Sequence, residues 1–313
     1  MVKRSLLYIP PLLALTFFII LQWYGFLHNA FVEIMFASFL VAFYFYVNIL
    51  AGFAAFFVFS IWILFKYFIL QTDYKISELN KASIRGNIPH NIIQMWVGPV
   101  QALSKYKSYI QSVKSLNPDC QYMFFDKDDI DYFFKNHYPE YFKTYNSLPL
   151  LIQRLDFFRY LAIYHYGGIY LDLDIKALKP FDSSFFNHSS VFPVDEYLSD
   201  NLIHVPRFEP FLKKGCRFLL GQYGFGAEKK HPFLMYLVES IHSNVHKIVE
   251  EYKRNPMKKR AKEWFVYKTT GPDFVTQSFM NYWNKSQIYI LENGHRQHVG
   301  KYARHEYFGS WKG

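Results

Sequence analysis

The chain is poor in cysteine: Cys120 and Cys216 are the only two in 313 residues, and neither belongs to a CxxC pair or a cysteine–histidine cluster. A disulfide framework is therefore excluded, and so is a structural zinc site. Internal repeats and low-complexity linkers are also missing. No lysine–arginine block with interleaved aromatics occurs, so the net charge of +10 does not point to nucleic acid. Basic residues gather instead at Lys253, Arg254, Lys258, Lys259, Arg260 and Lys262, a run that suits either a solvated surface or attraction to anionic lipid head groups.

What the chain has in excess is aromatic and apolar. Aromatic residues make up 21% of it, with much of the phenylalanine near the N-terminus. The mean hydropathy of -0.05 thus averages two unlike parts. Lys3 and Arg4 precede an apolar run at 6–27, about 20 residues, the length that crosses ~30 Å of hydrocarbon as a helix. The run is long for a signal peptide and has no small-x-small cleavage site. A second apolar run covers 34–70, interrupted by Asn48, Gly52 and Lys66, and reads as one long tilted span or two. The expected organisation is a transmembrane anchor of two or three helices at 1–70, a linker at 71–87 and one domain at 88–313. Lys3 and Arg4 favour a cytoplasmic N-terminus. Two spans would then return the domain to the cytoplasm and three would deliver it to the lumen. Lys75, Lys81 and Arg85 lean toward the first, while glycosylation triplets at Asn187 and Asn284 suit the second.

Beyond residue 71, strand-like and helix-like segments alternate. Residues 92–96 read as a buried strand ending at Gly98-Pro99, 101–117 as a helix, 121–125 as a strand, and 128–145 as a helix broken at Pro139. A helix over 150–166 is stopped by Gly167-Gly168 and followed by a strand at 169–171. This alternation predicts an α/β fold with a largely parallel sheet.

The chemistry concentrates in Leu155-Asp156-Phe157-Phe158-Arg159-Tyr160 and Gly167-Gly168-Ile169-Tyr170-Leu171-Asp172-Leu173-Asp174. In a strand, residues two apart point to the same side, so Asp172 and Asp174 present both carboxylates together, with Leu171 and Leu173 packed on the other. Two carboxylates ending an apolar strand need a positive neighbour. A hard divalent cation suits them and leaves open positions for substrate phosphates. Asp156 and Arg159, three apart, share a helix face, either as a structural ion pair or as groups that meet a donor.

These segments resemble glycosyltransferase family 32. Ile88-Pro89-x-x-Ile92-Ile93-Gln94-x-Trp96 is similar to its first-strand motif, with Ile93 where histidine is frequent. The stretch from Asp156 to Leu178-Lys179-Pro180 is similar to its core signature, and Gly226-Ala227-Glu228-Lys229-x-His231-Pro232-Phe233, Thr270-Gly271-Pro272 and His305-x-x-x-x-Ser310-Trp311 echo later parts. The resemblance implies a GT-A (Rossmann-like) fold, Mn²⁺ or Mg²⁺, a nucleotide-sugar donor such as GDP-mannose, and retention of anomeric configuration. By position it implies catalytic roles for Asp156, Arg159 and Asp174, and a metal held by Asp172, Asp174 and His305. Trp96, Asp156, Arg159, Tyr160, Gly168, Asp172, Ser310 and Trp311 would bind the donor. The acceptor would be membrane-borne, of the inositolphosphorylceramide type, or a protein N-glycan taking α-1,6-mannose. The setting would be the Golgi or endoplasmic reticulum membrane, multi-pass, with a lumenal catalytic domain and room for a regulatory membrane subunit. A catalytically silent membrane scaffold is the rival of another class.

Overall fold

The computed structural model describes residues 35, 37–43, 56–60, 74–254, 259–292 and 298–309. The expected anchor at 1–70 lies largely outside them. Among the described residues no helix is long and apolar enough to cross a membrane. The chain divides into two compact units, Met1–Thr72 and Asp73–Gly313. Both β-sheets and the helices packed on them belong to the second unit.

This unit starts earlier than the expected boundary at 88. Helix α1 (Ile76–Lys81) falls in the stretch read as a linker, and hydrogen bonds tie it down. The Asn80 side-chain amide donates to the Ile290 carbonyl and accepts the Ile290 N–H, both at 2.8 Å. A side chain thereby stands in for a strand partner on β8 (Tyr289–Leu291).

The first half follows the expected alternation. It runs β1 (Asn91–Met95), α2 (Lys107–Leu116), β2 (Gln121–Phe125), α3 (Lys127–His137), α4 (Pro139–Ser147), α5 (Leu151–Tyr166) and β3 (Gly168–Leu171). The helix expected over 101–117 is broken in two by a 3-10 turn at Ser104–Tyr106. There the Ser104 hydroxyl donates back to the Gln101 carbonyl at 2.7 Å. Asp126 starts α3 by accepting the Asp128 and Asp129 N–H groups, while Asp129 accepts the Asp126 N–H in return. Pro139 opens α4 at a position where its missing N–H has no consequence.

After β3 the strands come without the crossover helix that a parallel neighbour requires. They are β4 (Ile175–Ala177), β5 (Ser190–Tyr197), β6 (Phe218–Leu220) and β7 (Gly224–Ala227). The sheet order is β2-β1-β3-β7-β5-β6, with β8 also pairing β5. β1 is parallel to β2 and β3, whereas β3–β7, β7–β5 and β5–β6 are antiparallel. The sheet is therefore mixed rather than largely parallel. A second, three-stranded sheet has the order β4-β10-β9, with β9 at His298–Val299 and β10 at Ala303–His305.

Both faces of the main sheet are covered. Ile93, Tyr170 and Phe192 join one buried cluster, together with Phe157, Phe158 and Leu161 of α5. Their chain neighbours Ile92, Ile169, Leu171 and Val191 join the other, with Val113 of α2 and Tyr302. This is the pleat's period of two with apolar residues on both sides. Three longer helices, α6 (Pro232–Arg254), α7 (Lys259–Thr269) and α8 (Pro272–Asn281), follow β7 in the chain.

Candidate active site

Asp172 and Asp174 do not continue the strand. β3 ends at Leu171 and the chain turns, the Ile175 N–H donating to the Asp172 carbonyl at 3.2 Å. The Asp172 backbone is gripped on both sides: its N–H donates to the Tyr223 carbonyl at 2.8 Å, and its carbonyl accepts the Gln94 side-chain amide at 3.1 Å. Gln94 belongs to the first-strand motif and is fully buried, as is Ile93 beside it, which packs in the core.

The second sheet, rather than a strand period, gathers the ligating groups. His305 lies opposite Ile175 in the antiparallel β4–β10 pair. One ligand atom each from Asp172, Asp174 and His305 falls within 4.8 Å of the others. Asp174 Oδ1 meets His305 Nε2 at 3.1 Å, and its Oδ2 accepts the Phe308 N–H at 2.9 Å. Burial alone would push Asp174 up, but the His305 and Phe308 hydrogen bonds hold it below the usual carboxylate range. The His305 ring stacks on Tyr223 at 4.8 Å, and its Nδ1 is buried without a partner. Two carboxylates, an imidazole and an unsatisfied ring nitrogen fit a divalent cation such as Mn²⁺.

Asp156 and Arg159 form the expected pair, at 3.2 Å across the α5 face. The pair is more than a local one, because Arg159 Nη1 also reaches Asp172 Oδ1 at 3.2 Å. The guanidinium lies 4.5 Å from the centre of the Tyr170 ring and donates to the Gln222 carbonyl at 3.1 Å. The Tyr170 hydroxyl in turn donates to Asp172 at 2.6 Å. Asp156 has no exposed surface and accepts from Thr270 Oγ1 at 2.7 Å and Gln222 Nε2 at 3.2 Å. Burial pushes its pKa up to about 6, against the pull of Arg159 and these hydrogen bonds. Burial also raises Asp172, with Arg159 opposing and Asp174 reinforcing the shift. The site thus concentrates carboxylate charge that one arginine only partly offsets.

Asp156, Arg159, Asp172 and His305 line a cleft of about 660 Å³, with Asp174 behind its lining. Trp96 forms part of one wall, its indole N–H donating to the Pro99 carbonyl at 3.2 Å and its ring 5.2 Å from Tyr106. Tyr160 stands one layer behind, fully buried, its hydroxyl bonded to the Thr270 carbonyl at 2.6 Å and to the Gln222 side chain. Gly168 does not line the cleft. It starts β3, at the other end of the strand from Asp172, with φ +111 and room for no side chain: a Cβ would lie 2.5 Å from the Asn91 carbonyl oxygen. His231 is also elsewhere, at the start of α6, where its Nδ1 accepts the Phe233 N–H at 3.3 Å. Ser310 and Trp311 lie outside the described residues. Sequence reasoning missed Gln222, Tyr223, Asp195, Arg207 and Lys262, all of which line the cleft. None stands in a catalytic motif; the signals were Gln222-Tyr223, just before a glycine strand, and the basic run that includes Lys262, which was read as surface or lipid-facing rather than as cleft lining.

Residues 104–192, which include Asp156, Arg159, Asp172 and Asp174, match the family model of the glycosyltransferase sugar-binding region containing a DXD motif. This segment is similar to the sugar-binding region of the DXD-containing glycosyltransferases. It is similar to inositol phosphoceramide mannosyltransferase 1 of Schizosaccharomyces pombe, 26% identical over 200 residues that cover 62% of this chain and 52% of that protein. It is also similar to mannosyl phosphorylinositol ceramide synthase CSH1 of Saccharomyces cerevisiae, at 29% over 189 residues, covering 59% and 40%. Initiation-specific alpha-1,6-mannosyltransferase of Candida albicans is 25% identical over 211 residues, covering 63% and 53%. The chain spans about half the length of these relatives.

Proposed function

We propose that the chain is a metal-dependent, retaining glycosyltransferase of the GT-A type that moves mannose from GDP-mannose to a membrane-borne acceptor of the inositolphosphorylceramide class. The observation that carries this reading is the Asp172–Asp174–His305 group meeting the buried Asp156–Arg159 pair through Asp172, beside one cleft. Asp172, Asp174 and His305 would hold Mn²⁺ or Mg²⁺, which when bound supplies Lewis-acid neutralisation of the departing diphosphate. Arg159 pairs with Asp172 at the cleft and opposes the upward shift that burial imposes on it. Asp156, already accepting from Thr270 and Gln222, orders a rim of polar groups for sugar hydroxyls. Trp96 offers an aromatic wall to the base. The lipid acceptor is favoured by the long apolar runs before the domain and by the activities for which the Schizosaccharomyces and Saccharomyces relatives are named. The setting in this reading is a Golgi or endoplasmic reticulum membrane with the catalytic unit in the lumen.

A second acceptor, a protein N-glycan, is supported by the Candida relative. Purified chain incubated with GDP-mannose, Mn²⁺ and labelled inositolphosphorylceramide should yield a mannosylated lipid. Transfer to an N-glycan core but none to the lipid would sink the lipid reading, and transfer to neither would sink the enzyme.

A further inference from the structure

The second unit is fastened at Tyr74, close to its start. The Tyr74 N–H donates to the Gly215 carbonyl and its hydroxyl to the Met280 carbonyl, both at 3.3 Å. Lys285 Nζ lies 5.7 Å from the centre of the Tyr74 ring and donates to the Tyr282 carbonyl at 2.7 Å. These contacts join three segments in one face: the start of the unit, the turn at 213–215 and the loop at 282–286.

That loop holds an aromatic side chain out in solvent. Tyr282 is 1% exposed and packs against Phe233, whereas its neighbour Trp283 is 79% exposed. The backbone that presents Trp283 is well tied. The Tyr282 hydroxyl donates to the Gln287 side chain at 2.8 Å, and the Ser286 hydroxyl donates to Asn284 at 2.6 Å. The Ser286 carbonyl accepts the N–H of Ile84, itself a half-exposed apolar residue, at 2.7 Å. Lysines belong to the same segments. Lys75 and Lys213 pair with Glu78 and Glu209 at 3.5 and 2.5 Å, Lys214 is exposed, and Lys285 meets a carbonyl and a ring.

The chain that leads into this face indicates what it meets. Only residues 71–73 separate Tyr74 from the apolar run that ends at 70. Four residue steps reach no further than ~14 Å, so an apolar run set in hydrocarbon brings Tyr74 to the head-group layer. Tryptophan and lysine are the side chains that layer favours, one with its ring among the head groups and the other with its ammonium on lipid phosphate. A protein partner would need more, since each side of a stable interface gives ~800 Å² and the apolar residues here are Trp283 and Ile84.

We propose that the face formed by Tyr74, the 213–215 turn and the Trp283–Ser286 loop rests on the bilayer surface, with Trp283 among the head groups. This depends on membrane insertion of the apolar runs and not on the chemistry of the cleft. The test uses the full-length chain in nanodiscs containing anionic lipid, with Cys120→Ser and an environment-sensitive fluorophore attached at Trp283→Cys. Tyr132→Cys is the control: Tyr132 is 64% exposed on α3, which follows β2, and β2 and β6 are opposite edges of the main sheet. Emission from position 283 should shift to the blue. Lipids carrying a nitroxide just below the head group should quench it several-fold more than emission from 132. Equal quenching at the two positions would overturn the proposal. A blue shift without quenching would also overturn it, marking a protein partner or a second copy instead. So would a glycan on Asn284, which would occupy the space of the lipid. Chain that does not enter the nanodiscs would overturn the anchor and the proposal together, and none of these outcomes touches the enzyme reading.

Discussion

Arg159 is buried between two carboxylates, so removing either leaves its charge with less compensation. Asp156→Ala should lower unfolding free energy by about 3 kcal/mol, read as a shift of the urea midpoint at constant slope. An unchanged midpoint would mean that Arg159 finds another partner. Asp174→Ala acts differently, because Asp174 is held by main chain and His305 rather than by Arg159. It should leave the fold in place while turnover with GDP-mannose and Mn²⁺ drops by roughly 10²-fold or more. Chelation of the wild type should reproduce that loss and added Mn²⁺ should reverse it. His231 gives a pH signature well away from this centre. Burial lowers its pKa from 6.5 to about 4, and its Nδ1 must stay unprotonated to accept the Phe233 N–H. Between these two values the unfolded chain takes up a proton that the folded chain refuses, so stability falls as pH drops from 6.5 toward 4. The loss is at most about 3 kcal/mol. Urea midpoints measured across that window should descend, and more shallowly in His231→Gln.

Two elements place the site. The α5–Gly167–Gly168–β3 unit carries Asp156 and Arg159 on its helix and delivers Asp172 at the strand's end. Its turn needs glycine twice: φ is +66 at Gly167 and +111 at Gly168, and an added Cβ would strike Pro89 at 2.6 Å or Asn91 at 2.5 Å. Gly168→Ala should therefore cost about 2 kcal/mol or more, measured by chemical denaturation; wild-type stability would show that β1 and β3 can separate without loss. The other element is the β4–β10 pair, which carries His305 to Asp174 from 131 positions away in sequence (305 minus 174). The strap beyond it returns the Phe308 N–H to Asp174, and the Phe308 ring lies 5.8 Å from Tyr106. The helix period, the glycine stop and the Asp-x-Asp were legible because each is a local property of consecutive residues. The orientation of the two carboxylates was not. A strand period assumes a continuing strand, and the turn after Leu171 is set by the Gln94 and Tyr223 contacts with Asp172.

At the scale of the whole molecule, the apolar runs before residue 71 predict a chain that stays with membranes through alkaline carbonate extraction. Release into the supernatant would contradict that. Sequence by itself determined the strongly local features: α5 and its polar face, the turn into β3 and the Asp-x-Asp that follows it. These arise from spacing within a dozen residues, where backbone geometry leaves few choices. Tertiary structure alone decided that β7, β5 and β6 join the sheet antiparallel, that residues 74–87 join the domain, and that Gly168 serves packing rather than the cleft. It also decided that Gln222, Thr270 and Lys262 come together around Asp156 and its cleft. Such neighbours are brought together by sheet pairing and helix packing across scores of residues, and no periodicity in the chain records them.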